Sequence, residues 1–221
     1  SLLMAPIETH MAKYATVYNL DLPGFGLSSE PTVPYSVFDY ANCLKAFMDK
    51  LAIEDPIIIA HSFGARLAII YASENKVSKM ILTGAAGIKD KRKWDYYLKV
   101  YTYKLIKKML KVLGLKRYQE ELAKYFGSDD YQRTSGVMRE SFVKIVNEDL
   151  SHLLGKIQAE VLLVWGEKDD ATPLWMAQLM EKRIPNAGLA VFANDDHYAY
   201  SHQMTRFLKV FDVFLGITGV N

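Results

Sequence analysis

A chain of 221 residues, half of them hydrophobic, can build one substantial core with a small inserted lobe. The formal net charge of +2 gives no electrostatic reason to expect nucleic acid as a partner. The N-terminus lacks the basic flank and long apolar run of a signal peptide, and no apolar stretch is long enough to span a bilayer. We therefore expect a cytoplasmic protein without a membrane partner. The single cysteine, Cys43, excludes an intramolecular disulfide.

Short β-rich segments alternate with longer amphipathic segments along the chain. The strand pattern occurs in residues 16–21, 55–60, 79–83, 160–165 and 189–192. The helix pattern occurs in residues 6–14, 36–51, 64–74, 173–183 and 199–215. Several of the strands are apolar on both faces, which is typical of parallel strands covered by helices. Because parallel neighbours need right-handed crossovers, the pattern predicts an α/β fold with a doubly wound, mostly parallel sheet.

Residues 88–150 carry no strand signal and are predicted to form a helical cap inserted into a core made of residues 1–87 and 151–221. After Trp94, apolar residues recur every three or four positions, at Leu98, Tyr101, Leu105, Met109 and Val112. Lysines gather on another face of the same segment. We interpret it as a helix that packs on the cap through its apolar stripe. A basic amphipathic helix lying on an anionic membrane is the alternative.

One strand runs directly into the segment Ala60-His61-Ser62-Phe63-Gly64, and a helix pattern follows at once. A strained strand-to-helix turn exposes a serine hydroxyl and aims the first amides of the helix at it. The small residues Ala60 and Gly64 allow such a turn to close. In this setting the segment resembles the nucleophile elbow of the α/β-hydrolase family, although the common motif has glycine at position 60. We interpret His61 as scaffold, with a role as catalytic base as the alternative.

Two later loops complete the resemblance. The loop 166–173 is similar to the family's G-x-x-D-x-x-x-P loop, whose aspartate orients a histidine; the match falls on Asp169, with Asp170 as the alternative. The family keeps its general base in the loop after the last strand, where this chain has His197; His202 is the alternative. Histidine titrates near neutral pH, which suits proton transfer. The order Ser62, Asp169, His197 is the order of the α/β-hydrolase triad and differs from that of other triad folds.

The stretch Asp21-Leu-Pro-Gly24-Phe25-Gly-Leu-Ser resembles a family segment that borders the substrate pocket. Gly24 and Phe25 are therefore expected to contact substrate. His61, adjacent to Ser62, is also expected to contact substrate, and the backbone amide of Phe63 is expected to be one oxyanion donor. Family members have further strands before this point, and a His-Gly loop that supplies a second donor. These 221 residues contain no counterpart of them. The resemblance therefore implies an open sheet edge, which leaves a homodimer through that edge as an open alternative.

The resemblance implies a serine hydrolase that cleaves a carboxylic ester through an acyl-enzyme, acting on a small molecule with an apolar acyl or aromatic part. A carbon–carbon bond hydrolase of the same fold is an alternative. A truncated, catalytically weak family member that acts as a binding or dimerising protein is another. The sequence has no phosphate-binding loop and no metal-ligand spacing, so we expect neither a cofactor nor a metal.

Overall fold

The protein is described by a computed structural model that covers residues 2–89, 94–115, 118 and 136–217. Within these residues the sheet has four strands: β1 (Ile57–His61), β2 (Lys79–Thr83), β3 (Glu160–Gly166) and β4 (Ala187–Phe192). The helices are α1 (Ala5–Met11), α2 (Val37–Lys50), α3 (Phe63–Glu74), α4 (Trp94–Val112), α5 (Gly136–Asn147), α6 (Leu174–Arg183), α7 (Ala199–His202) and α8 (Met204–Leu215). Short 3-10 turns occupy Leu2–Met4 and Leu154–Lys156.

The four strands are parallel and lie in the order β1-β2-β3-β4, so neighbours in the sheet are also neighbours in the chain. Side chains of a strand alternate between the two faces of the sheet. Met80 and Leu82 of β2 lie in the hydrophobic cluster formed with α2, α3 and α6, whereas Ile81 lies in the cluster formed with α1, α7 and α8. Helices thus cover both faces, which explains why the strands are apolar on both. The expected doubly wound α/β architecture is confirmed.

The prediction of a strand over residues 16–21 is wrong. This segment has no regular secondary structure and makes no ladder with any described strand. Its apolar residues still contact the core, because Leu20 packs on one hydrophobic cluster and Val17 on the other. A β-strand requires a hydrogen-bonding neighbour. Among the described residues β1 pairs with β2 on one side only, and the residues 16–21 lack such a neighbour.

The region predicted to form the cap contains two helices within the described residues, α4 and α5. The stripe predicted to pack instead faces solvent along α4: Tyr101, Leu105, Met109 and Val112 are 56–81% exposed. The side chain of Leu98 lies outside the described set. Because residues 90–93, 116, 117 and 119–135 also lie outside it, the boundaries of the cap stay a prediction. None of the described helices combines the length and apolar character needed to cross a bilayer.

The helix α5 is tied to the core by specific contacts. The backbone amide of Tyr35 donates to the Ser141 hydroxyl at 2.9 Å, and Lys144 donates to the carbonyl of Pro34 at 2.8 Å. Just beyond α5, the buried guanidinium of Arg66 donates to the carbonyl of Glu148 at 2.9 Å. These bonds fix α5 beside the loop that leads into α2.

Candidate active site

Chemically active side chains follow three of the four strands at the same edge of the sheet. Ser62 follows β1, Asp169 lies in the loop after β3, and His197 lies in the loop after β4. Parallel strands bring their carboxyl ends to one edge, which is where open α/β sheets bind ligands. The fold therefore assembles residues separated by as many as 135 positions in the chain.

Ser62 occupies a strained turn between β1 and α3. Its φ and ψ are 47° and −109°, a conformation that residues with a Cβ rarely adopt. The turn is held by neighbouring backbone, since the Ser62 amide donates to the Thr83 carbonyl at 3.0 Å and the Ala86 amide donates to the Ser62 carbonyl at 3.2 Å. The Ser62 side chain does not cap α3. Its hydroxyl is therefore available to other partners.

The hydroxyl of Ser62 meets the imidazole of His197, whose Nε2 lies 3.0 Å from Oγ. The other ring nitrogen, Nδ1, lies 2.8 Å from Oδ2 of Asp169. An ionised carboxylate only accepts hydrogen bonds, so Nδ1 carries the proton and Nε2 offers its lone pair to the Ser62 hydroxyl. This is the tautomer in which an imidazole can take a proton from serine.

Asp169 is almost fully buried and is satisfied by the loop that carries it. Its two oxygens accept hydrogen bonds from the Thr172 amide and the Thr172 hydroxyl, both at 2.8 Å, in addition to the bond from His197. Burial alone would raise the pKa of Asp169, but these hydrogen bonds outweigh it and the pKa lies below its ordinary value. Asp169 is therefore ionised at neutral pH and oriented toward His197. Asp170, the alternative acid, is exposed.

His61 lies beside this chain of hydrogen bonds without joining it. Its Nδ1 is 3.0 Å from the Thr83 carbonyl, which only accepts, so Nδ1 carries the proton and Nε2 is a bare acceptor. The ring centroid is 4.7 Å from that of His197. Burial, and then the nearby charge on protonated His197, lower the pKa of His61 to about 4. His61 therefore stays neutral at physiological pH and packs against the imidazole that contacts Ser62.

Gly24 and Phe25 lie in the same region, beside a cluster of aromatic rings. We call the rings of Phe25, Tyr35, Tyr40 and Phe63 the aromatic cluster. Phe25 stacks on Phe63 with centroids 5.5 Å apart, and Tyr40 contacts both of them edge-on. Gly24 approaches α5 so closely that a Cβ there would lie 2.3 Å from the Met138 sulfur. The aromatic cluster thus includes Phe63, the residue next to Ser62, and lies beside the contact between Gly24 and α5.

The backbone amides of Phe63 and Gly64 begin α3, and neither donates to an acceptor within the described residues. The first amides of a helix have no intrahelical acceptor and carry the positive end of its dipole. They are thus free to bind an anionic oxygen beside Ser62.

Two residues at the site were not predicted from the sequence. Thr172 holds both oxygens of Asp169, and its position three residues after an aspartate is the one signal that could have revealed it, since such side chains often close turns. Gly84 follows β2, and a Cβ there would lie 2.9 Å from Nδ1 of His197. No sequence pattern indicates that close approach.

Other candidate groups lie away from Ser62. His202 is half exposed and bonds to Asp195. Together with Asp196, these residues offer ligand atoms within 4.8 Å of one another, so they are the described group that could hold a metal, although exposed acidic groups of this kind are common without one. Neither the hydrogen-bonded chain at Ser62 nor the aromatic cluster needs an ion.

Comparison with known proteins agrees with this architecture. The chain is 28% identical over 198 residues to the AB hydrolase superfamily protein YisY of Bacillus subtilis, covering 82% of this chain and 74% of that protein. It is also 28% identical over 221 residues to a 2-hydroxy-6-oxononadienedioate/2-hydroxy-6-oxononatrienedioate hydrolase of Paraburkholderia phymatum, covering 89% and 75%.

Solved structures share the fold. An esterase from Exiguobacterium antarcticum superposes with a TM-score of 0.73 at 21% identity, covering 97% of this chain and 87% of the esterase. The sequence model of the alpha/beta hydrolase fold matches residues 7–202, a range that includes every residue of the site described above. The chain therefore belongs to the α/β-hydrolase fold family.

Proposed function

We propose that this protein is a serine hydrolase that cleaves a carboxylic ester through an acyl-enzyme, with Ser62 as nucleophile, His197 as general base and Asp169 as the residue that orients it. The observation that carries the proposal is the 3.0 Å contact between Ser62 Oγ and His197 Nε2, in an imidazole whose Nδ1–H donates a hydrogen bond to Asp169. A serine hydroxyl becomes a useful nucleophile only when a base accepts its proton.

The reaction begins when Ser62 Oγ bonds to the substrate carbonyl carbon while its proton passes to His197 Nε2. The carbonyl oxygen becomes an oxyanion and accepts a hydrogen bond from the Phe63 amide. The ester C–O bond then breaks, and His197 returns the proton to the departing alcohol. Water next attacks the acyl carbon and gives a proton to His197, and the acid leaves as that proton returns to Ser62. Asp169, ionised throughout, stabilises the transient imidazolium.

The substrate that fits best has an apolar or aromatic part. The aromatic cluster flanks Phe63 on the side of the cap, and the Phe25 ring is 43% exposed and therefore accessible to a ligand. Apolar clefts with a few polar groups at the reacting centre are typical of small-molecule sites. Gly24 and Phe25 would contact the substrate directly. His61 would act on it only through His197.

Labelling by a fluorophosphonate tests the proposal without knowledge of the substrate. The probe phosphonylates an activated serine, so intact mass should rise by one adduct in the wild type and not in Ser62→Ala. A Ser73→Ala variant, which alters another serine on α3, is the matched control and should label like the wild type. An equal adduct in the wild type and Ser62→Ala, or no adduct in either, would refute the proposal.

A carbon–carbon bond hydrolase is the second candidate, favoured by the similarity to the Paraburkholderia phymatum protein. The same three residues would serve such a reaction, because it too passes through attack on a carbonyl. Hydrolysis of 2-hydroxy-6-oxononadienedioate, followed by loss of its absorbance, should be compared with hydrolysis of p-nitrophenyl esters of short and aromatic acids. A larger kcat/KM for the dienedioate would replace the ester assignment, and a larger value for the esters would support it.

A catalytically weak binding or dimerising protein is the third candidate. It is favoured by the outer edge of β1, which pairs with no described strand. Unpaired strand edges promote association with another chain. Light scattering that gives a dimer mass, together with an unlabelled Ser62, would support this function over hydrolysis.

A further inference from the structure

The loop that carries His197 is anchored by a second group of polar side chains. We call residues 193–198 the histidine loop. Within it, the Asp195 carboxylate accepts hydrogen bonds from Nδ1 of His202 and Nε2 of Gln203, both at 2.8 Å, and from the Asp196 amide at 3.0 Å. The Asp195 side chain is only 10% exposed, whereas that of His202 is 51% exposed. The histidine loop is thus tied to α7 and to the residue that follows it.

The backbone of the histidine loop also lies against the loop that carries Asp169. The Lys168 amide donates to the Asp195 carbonyl at 2.7 Å, and the Asn194 amide donates to the Glu167 carboxylate at 2.9 Å. The approach is tight, because a Cβ at Gly166 would lie 2.0 Å from the Asp196 carbonyl oxygen. Asp195 therefore holds the histidine loop in two places. Its carbonyl accepts a hydrogen bond from the loop that carries Asp169, and its carboxylate accepts one from His202 of α7.

We propose that Asp195 and His202 are positioning residues for His197, holding the histidine loop so that the imidazole bridges Asp169 and Ser62. Neither residue contacts the reacting atoms. The inference rests on the proposed function of Ser62 and His197.

Two physical arguments support it. A hydrogen bond to an ionised carboxylate is roughly twice as strong as one between neutral groups, so the contact between Asp195 and His202 is well suited to fix a loop. The bond to Asp195 raises the pKa of His202, which favours the charged form of this contact. Proton transfer is also sensitive to placement, because an error of about 1 Å in a reacting group can cost about 100-fold in rate.

The geometry suggests a set of variants with a conservative rescue. His202→Ala removes the donor to Asp195 at a half-exposed position, so we expect the protein to fold. His202→Asn restores an amide donor near the position of Nδ1 but carries no charge. Asp195→Ala removes the acceptor of all three bonds. The matched control is His152→Ala, which alters an exposed histidine whose Nδ1 bonds to the backbone carbonyl of Asp149.

The first measurement is the rate constant for fluorophosphonate labelling of Ser62, which reports its activation by His197. We expect His202→Ala to lower it about tenfold, Asp195→Ala to lower it at least as much, and His202→Asn to recover most of the loss. The control should stay within about twofold of the wild type. With a p-nitrophenyl ester, kcat should fall while KM changes little, because the aromatic cluster is untouched. Labelling of His202→Ala at the wild-type rate would overturn the proposal.

The second measurement does not depend on activity. The Nδ1 proton that His197 donates to Asp169 should give a far-downfield proton resonance in the wild type and in His202→Asn. We expect this resonance to broaden or disappear in His202→Ala. An unchanged resonance in His202→Ala, or its absence from the wild type, would contradict the positioning role. Failure of Ser62 to label in the wild type would instead refute the proposed hydrolase, and the resonance would still decide the role of Asp195 and His202.

Discussion

Gly84 lies directly against His197: a Cβ on this glycine would sit 2.9 Å from Nδ1 and 3.0 Å from Cε1 of the imidazole. The glycine also has a φ of +48°, a conformation that strains any residue with a Cβ. The end of β2 therefore forms the wall behind the imidazole.

Gly84→Ala should reduce kcat/KM about 100-fold, because the new methyl group displaces His197 from Asp169 and Ser62. Gly188→Ala is the matched control, since a Cβ at Gly188 meets no atom within 4 Å. Steady-state kinetics on a p-nitrophenyl ester measure the effect, and thermal unfolding shows how much of it comes from stability. Activity of Gly84→Ala within a few-fold of the control would contradict the close contact.

Thr172→Val should lower kcat/KM about tenfold with little change in KM, because Asp169 loses the hydroxyl that helps to orient its carboxylate. Valine preserves the shape of the side chain, and the Thr172 amide still donates to Asp169. Thr172→Ser should restore activity. Thr16→Val makes the same chemical change at an exposed position and serves as the control. Wild-type kinetics in Thr172→Val would show that the amide alone orients the acid.

Phe25→Ala should raise KM several-fold for an aromatic ester and much less for an acetate ester, while kcat changes little. The reason is that the Phe25 ring supplies apolar contact area beside Phe63 without touching the hydrogen-bonded chain. Phe38→Ala removes an equally exposed ring from the outer side of α2. A loss of kcat in place of a rise in KM would argue that Phe25 supports Phe63 and not the substrate.

The pH dependence of stability should carry a signature of His61. Its pKa is about 4 in the folded protein and about 6.5 when unfolded, so between these values the unfolded chain binds more protons. The free energy of unfolding should therefore fall by about 3 kcal/mol as the pH drops from 6.5 to 4. The loss is complete below the folded pKa and absent above the unfolded one.

Urea denaturation at stepped pH checks this signature by comparing the wild type with His61→Asn. Asparagine keeps a donor for the Thr83 carbonyl but does not titrate, so its unfolding free energy should fall less over this range. His152→Asn is the control at an exposed histidine and should follow the wild type. If the unfolding free energies of all three proteins changed equally with pH, the pKa of His61 would be the same in the folded and unfolded protein, and this prediction would be wrong.

Much of the fold follows from local patterns, because burial on both faces leaves a clear mark on a strand. The apolar residues of β1 and β3 indicated a covered parallel sheet, and the small residues around Ser62 indicated a tight turn at its edge. Residues 16–21 have an equally good strand composition, yet they form none. The composition of a segment indicates which side chains it can bury. Whether the segment forms a β-strand also depends on a second strand beside it that accepts and donates the backbone hydrogen bonds.

The sequence likewise indicates some residues of the site and not others. Ser62, Asp169 and His197 were expected to meet because the loops that carry them resemble α/β-hydrolase loops, and each of these loops follows a strand that ends at the same edge of the sheet. Thr172 and Gly84 could not be located from sequence, because their importance arises from contacts between loops far apart in the chain. Likewise, the apolar stripe of α4 predicts a packed face, but whether it packs depends on the surface opposite, and the four side chains that the structure describes are exposed.

The placement of His197 after the last strand of the sheet has a consequence for biosynthesis. Ser62 and His197 are 135 residues apart, and β4 must dock on β3 before their side chains can meet. A chain emerging from the ribosome can therefore form the strained turn at Ser62 long before any base is present to activate it. Under the proposed mechanism, Ser62 has no base during synthesis and gains one only when β4 and the helices that follow it join the sheet.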